Sequence, residues 1–132
     1  MRIPKPHIKL LDDYTIELTQ PFVWGKEMVP AGFQCDGASV PKIANFYATP
    51  FGPGGMLPAA LFHDYHYHMK IDNTGKPMGH FSMLRDGTLA PITRAEADLR
   101  FYHRLRLNGV RTSKAWLCYW ALRAAGRFAW QT

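Results

Sequence analysis

Leu57-Pro58-Ala59-Ala60-Leu61-Phe62-His63-Asp64-Tyr65-His66-Tyr67-His68-Met69-Lys70 decides how the rest of the chain is read. Proline suits the first turn of a helix, where its missing N–H is not needed, and Asp72-Asn73-Thr74-Gly75 stops one. The spacing therefore predicts a helix over about 57–70. Leu61, Phe62, Tyr65 and Met69 make one apolar stripe, while Ala59, Ala60, His63, Asp64 and Tyr67 make the other side. The alanines let a second helix come close, and His63 and Tyr67, four apart, stack on one face.

The partner for that face is a second helix over about 94–108. Thr93-Arg94-Ala95-Glu96 is a capping box that starts it, and Asn108-Gly109 ends it. At about 100° per residue, Ala95, Asp98, Leu99, Phe101, Tyr102 and Leu105 share one arc. A carboxylate in an apolar arc is costly to bury unless a donor or a charge meets it. His63 and Tyr67 are the expected donors for Asp98, and their carboxylate partner would fix the imidazole tautomer and raise its basicity.

Outward from this pair the chain reads as α+β in a single domain, 1–132. Thr112 or Ser113 caps a third helix over about 113–128. A small antiparallel β portion precedes and interrupts the helices. It comprises strands within 7–33, with His7–Leu11 and Tyr14–Leu18 flanking Asp12-Asp13, and a hairpin near 80–92 around Asp86-Gly87. Residues 34–56, rich in Gly, Pro, Ser and Asn, read as a long ordered loop.

Composition narrows the classes. With 132 residues, 47% hydrophobic and 20% charged, the chain is neither disordered nor long enough for several domains. Its two cysteines, Cys35 and Cys118, exclude a disulfide framework. No secretory signal opens it, and the apolar run Ala115 to Leu122 is too short to span a membrane. The expected location is the cytoplasm.

Residues 1–93 balance eight Lys/Arg against eight Asp/Glu, so the whole net charge of +6 lies in the last third. Such a face favours anionic partners. Arg123 and Arg127 are the expected contacts for an anion or an anionic phospholipid surface; nucleic acid is less favoured, because no base-reading motif accompanies the charge. Trp116, Leu117, Trp120 and Leu122 read as a core-packing stripe before a membrane-surface one.

The residues also point to chemistry. Asp36-Gly37, in the loop Gly32 to Pro41, can aim backbone carbonyls at one point. With Asp64 it would supply part of the six to eight oxygens calcium takes. His63 could then deprotonate a water attacking an ester. Zinc at His63, His66, His68, His80 or His103 is disfavoured, since His66 and His68 diverge by about 160° on a helix.

Two resemblances follow from these residues. Val29-Pro30-Ala31-Gly32-Phe33, Asp36-Gly37-Ala38-Ser39-Val40-Pro41, His63-Asp64-Tyr65-His66-Tyr67 and Ala97-Asp98-Leu99-Arg100-Phe101, in that order, resemble the family labelled domain of unknown function 1353. That resemblance implies a bacteriophage or prophage setting, and so host cytoplasm or phage virion as the location. Locally, His63-Asp64-x-x-Tyr67 followed by Asp98-x-x-Phe101 is similar to secreted phospholipases A2 of the short bacterial type. This second resemblance implies His63 as general base, Asp98 as its orienting partner, Tyr67 as support for Asp98, and Asp64 as the calcium carboxylate.

Two readings result. One is a calcium-assisted hydrolase of phospholipid-type carboxylic esters. The other is a non-enzymatic virion, tail or assembly protein whose His/Asp/Tyr network is structural. The enzyme reading expects His63 gripped by Asp98, its far nitrogen open to solvent, and Asp36 and Asp64 oxygens converging within about 2.3–2.6 Å of one point; the structural one expects His63 fully buried and no ion site.

Overall fold

The computed structural model describes residues 5–11, 15–35 and 56–130. The chain is α+β. Strands β1 (Ile8–Leu10), β2 (Ile16–Leu18), β3 (Phe22–Trp24), β4 (Glu27–Val29) and β5 (Gln34–Cys35) precede helix α1 (Leu57–Tyr67). Strands β6 (Lys70–Ile71), β7 (Pro77–Gly79), β8 (Phe81–Leu84) and β9 (Leu89–Pro91) follow, and then helices α2 (Arg94–Leu107), α3 (Thr112–Ala125) and α4 (Arg127–Trp130). The sheets, ordered β1-β2-β5, β3-β4-β8-β9 and β6-β7, are antiparallel throughout.

The α1 helix is the axis of the molecule, with every residue from Leu57 to Tyr67 buried. Its apolar stripe packs on the four-stranded sheet, where Phe62 meets Phe22 at 5.4 Å and Trp24 at 6.2 Å between ring centroids. The other side meets α2, His63 and Tyr67 both reaching Asp98. With no side open to water, the polar residues of α1 must find partners inside the protein.

Local chemistry explains where the elements end. The Thr93–Glu96 capping box is complete, with Glu96 N–H donating to Thr93 Oγ1 at 3.1 Å and Thr93 N–H to Glu96 Oε1 at 3.2 Å. At the other end of α2, Asn108 is the cap and Gly109 takes φ +88°, the left-handed value that glycine tolerates. The first helix is shorter than expected. It stops at Tyr67, because His68 turns extended while its N–H still bonds the carbonyls of Asp64 and Tyr65. Lys70 and Ile71 then enter a hairpin closed by Asp72, whose carboxylate accepts from Thr74 N–H at 2.8 Å and Lys76 N–H at 2.9 Å.

The third helix is capped at Arg111 without a side-chain bond, so neither Thr112 nor Ser113 acts as the expected cap. It also breaks at Gly126 into α4, where one helix to about 128 was expected. The inward arc of α2 is Ala97, Asp98, Phe101 and Leu105. Ala95 and Leu99 face outward instead, Leu99 being 42% exposed. The expected loop over 34–56 lies almost wholly outside the described residues, as do Asp12 and Asp13.

Candidate functional site

Asp98 is the hub of the α1–α2 contact, fully buried. Its Oδ1 is 2.9 Å from His63 Nε2 and accepts from the Tyr67 hydroxyl at 2.6 Å. Its Oδ2 accepts from Arg123 Nη1 at 3.0 Å, with Arg94 Nη1 at 3.7 Å. Burial alone would raise the Asp98 pKa, but the bonds from His63, Tyr67 and Arg123 outweigh it and hold the carboxyl below its ordinary range. Burial, reinforced by the neighbouring carboxylate, pushes the Tyr67 phenol up, so it stays a proton donor. An ionised Asp98 makes His63 Nε2 the protonated ring nitrogen and leaves the lone pair on Nδ1.

His63 Nδ1 is buried and has no hydrogen-bond partner among the described residues. The imidazole lies between the rings of Tyr67, at 4.2 Å, and Phe101, at 4.7 Å, and is 1% exposed. This corrects the expectation of a far nitrogen open to solvent. The grip of Asp98 is present, but the ring is covered, with the Tyr67 and Phe101 rings tilted against it at 36° and 41°.

The third helix closes the site from behind. Arg94 Nη1 donates to the carbonyl of Leu122 at 2.8 Å, an acceptor near the helix end that also takes the Gly126 N–H at 2.7 Å. At Gly126 a Cβ would lie 2.5 Å from both the Tyr67 hydroxyl and the Leu122 carbonyl. Only glycine lets the α3–α4 junction sit this close to the phenol. Trp130 then stands edge-on to Tyr67 at 5.1 Å and stacks on His80 at 3.5 Å. Sequence reasoning passed over Gly126, although a lone glycine within a helical pattern is a signal of close packing.

Arg123 therefore serves Asp98 as well as the surface, 28% of its side chain being exposed. Arg127 is exposed, its guanidinium 4.9 Å from the Phe128 ring centre. Asp36 and Gly37 lie outside the described residues. Asp64 is buried and faces His68, Nε2 to Oδ2 3.8 Å. The Lys70 ammonium is also within its field, donating to the His68 carbonyl at 2.8 Å and to that of Tyr65 at 2.5 Å. Burial drives Lys70 down to about 8, against the attraction of Asp64.

The described residues do not by themselves fit a calcium ion. Asp64 offers one carboxylate and an ammonium already shares its field, whereas calcium takes six to eight oxygens. Among the described residues no group of three or more His, Cys, Asp or Glu side chains converges, which leaves the disfavoured zinc reading without a ligand set there.

A second buried constellation was not foreseen. Glu27, on β4, accepts from Arg104 Nη2 at 3.1 Å and from Arg100 Nη1, and its Oε2 is 3.0 Å from His66 Nε2. Burial would raise Glu27, but His66, Arg104 and Arg100 together bring it down to about 2. Burial lowers His66 to about 4, only partly offset by Glu27. His66 is thus a neutral donor to an ionised carboxylate at pH 7. His63 and His66, on one helix, each hand an Nε2 proton to an acid from a different neighbour, and so fix how α1 seats between β4 and α2.

Among the described residues no helix is long and apolar enough to cross a membrane. No solved structure matches the chain. An uncharacterized protein, y4jT, of Sinorhizobium fredii (strain NBRC 101917 / NGR234) is 29% identical over 125 residues, which cover 93% of this chain and 30% of that protein. The chain thus spans under a third of this relative. Residues 8–122 match the family described as Protein of unknown function (DUF1353), and the strands, the His63 helix and the Asp98 helix described above all fall inside that span. The chain belongs to that family.

Proposed function

We propose that the His63–Asp98–Tyr67 constellation serves a phage- or prophage-encoded hydrolase of carboxylic esters of the phospholipid type. The observation that carries this reading is the asymmetry of His63. Its Nε2 is held by a buried carboxylate, while its Nδ1 is left without a partner among the described residues. A buried polar atom without a partner calls for a reason, and a base awaiting a water supplies one; His66 shares the pattern, Nε2 on Glu27 and Nδ1 without a partner among the described residues, so what sets His63 apart is the Tyr67 hydroxyl on its carboxylate.

In this reading Asp98 holds the proton on Nε2, so Nδ1 takes the proton of a water as its oxygen attacks the ester carbonyl. Nδ1 then returns that proton to the leaving alkoxide as the acyl–oxygen bond breaks. Asp98 stabilises the imidazolium between these steps, and Tyr67 keeps Asp98 in place. No step is routed through a metal. Calcium, if Asp64 takes it together with Asp36 and Gly37, would polarise the carbonyl. The covering of His63 runs against the open nitrogen expected of an enzyme, so in this reading turnover requires the Tyr67 and Phe101 rings to part from it.

The burial of His63 and the full pairing of Asp98 favour a second reading, a non-enzymatic virion, tail or assembly protein in which the network is structural. Ester release separates the two. Purified protein with phospholipid and short-chain esters, with and without calcium, should release acid that His63→Asn abolishes while the melting curve survives. No release from wild type on any ester, or undiminished release from the variant, gives the structural reading the field.

A further inference from the structure

The face of α3 turned away from the core carries side chains that a core stripe would hide. Trp116 is 39% exposed, Leu117 49% and Trp120 62%, and Phe128 on α4 is 69% exposed. The core side of α3 is instead Ala115, Cys118 and Leu122. Trp116 lies between Tyr102, at 4.3 Å, and Trp120, at 6.3 Å and 21° between planes.

The charge beside this ledge is one-sided. No Asp or Glu follows Asp98 in the chain. Arg100 and Arg104 are tied to Glu27, Arg123 to Asp98 and Arg106 to the Val110 carbonyl. Among the described residues no carboxylate pairs with Arg111, Lys114 or Arg127, and Arg111 and Arg127 are exposed.

We propose that this α3–α4 face docks on the surface of an anionic phospholipid bilayer. Contiguous exposed apolar side chains rimmed by polar ones mark an interaction site. Indole and phenyl rings suit the headgroup boundary, and neighbouring cations suit its negative potential. A second copy of the chain is opposed, because two such faces carry the same charge. Single-stranded nucleic acid stacks bases on open rings, which Trp120 and Phe128 offer, in a groove that tracks its backbone; Leu117, 49% exposed between the tryptophans in sequence, offers a base no platform and suits acyl chains. The docking does not depend on the ester-hydrolase reading, since vesicle binding is read without turnover.

The test is flotation of the full chain with vesicles of equal parts phosphatidylglycerol and phosphatidylcholine, against vesicles of phosphatidylcholine alone. Tryptophan emission serves as the second readout, and an oligonucleotide as competitor. Wild type should float with the anionic vesicles, with a blue-shifted emission, and release as salt rises. Leu117→Ser/Trp120→Ser should weaken partitioning about tenfold or more, and separately Lys114→Gln/Arg127→Gln about twenty-five-fold, roughly fivefold for each surface cation lost. Melting curves confirm that the variants fold, and should the serine pair not fold, the glutamine pair decides. Absence of binding to anionic vesicles, equal binding to neutral ones, variants that bind undiminished, or capture of the oligonucleotide in place of vesicles would each overturn the proposal.

Discussion

Replacing Asp98 by asparagine keeps the shape of the side chain and removes its charge. In the wild type Oδ1 meets His63 at 2.9 Å and Tyr67 at 2.6 Å, while Oδ2 meets Arg123 at 3.0 Å. An amide has a single oxygen to offer. Facing His63 and Tyr67, it turns its NH2 toward Arg123 and Arg94, donor against donor. Reversed, it opposes the imidazole N–H and the phenol.

Breaking a buried pair by neutralising one partner costs about 3–5 kcal/mol. Arg123 and Arg94 keep 28% and 20% side-chain exposure, so water can solvate what the carboxylate leaves. The expected loss is therefore at the lower end, about 3 kcal/mol. At roughly 4 °C per kcal/mol for a domain of this size, the midpoint of thermal unfolding should fall by about 12 °C. With an m-value of about 2 kcal/mol/M, the urea midpoint should fall by about 1.5 M. The assay is urea unfolding at pH 7, followed by far-UV circular dichroism and tryptophan fluorescence with coincident transitions. Tyr67→Phe removes one donor but leaves the charge paired, and should cost less, about 1.5 kcal/mol. A loss under about 1 kcal/mol for Asp98→Asn, or the reverse order of the two variants, would refute the assignment of Asp98 as the hub.

Other outcomes follow from the same contacts. Gly126→Ala should destabilise by about 1–3 kcal/mol although its backbone conformation suits alanine, since the new Cβ meets the Tyr67 hydroxyl and a backbone carbonyl at 2.5 Å. Tyr67→Phe should recover part of that loss in the double variant, and strict additivity would contradict the contact. Acid should unfold the protein through Glu27 and His66. Their folded pKa values, about 2 and about 4, lie below the ordinary 4.5 and 6.5. The unfolded chain therefore binds more protons, and stability is full above pH 6.5 and falls as pH drops, first through His66 and then through Glu27. Each shift is worth on the order of 3 kcal/mol, and stability that stays flat between pH 6.5 and 4 in urea melts would contradict the buried pairing. Calcium at 100 times its dissociation constant should add about 2.7 kcal/mol, an increment that Asp64→Asn removes; an unmoved melting temperature takes calcium out of the proposal.

The parts of the fold that were legible were those written in local signals. The Thr93–Glu96 box, Pro58 in a first turn, Gly109 after Asn108 and the Asp86-Gly87 hairpin each act within a few residues, and each is where the sequence places it. The His63–Asp98–Tyr67 contact was legible for a different reason. A carboxylate in an apolar arc demands a donor, and a helix with alanines beside a histidine and a tyrosine offers two. Glu27 gave no such demand. It sits in a three-residue strand, too short for its alternation to declare which face is buried, and its partner Arg100 is 73 positions away. His66 reads from the sequence only as a disfavoured zinc ligand, because helical periodicity shows which side chains share a face but not that a helix is covered on all faces. The tryptophans of α3 misled in the opposite sense. Their spacing is that of a core stripe, and only the position of α2 shows that Ala115, Cys118 and Leu122 fill that role.

The ring nitrogens of His63 give the most direct measurement. Long-range nitrogen–proton correlation spectra of the labelled protein at pH 7 distinguish a protonated from a bare imidazole nitrogen. With Asp98 ionised and bonded to Nε2, the spectrum should show Nε2 carrying the proton and Nδ1 bare, and Asp98→Asn should disturb that pattern. A proton on Nδ1 with Nε2 bare, or a pattern indifferent to Asp98, would contradict the claim that this carboxylate sets the state of the histidine.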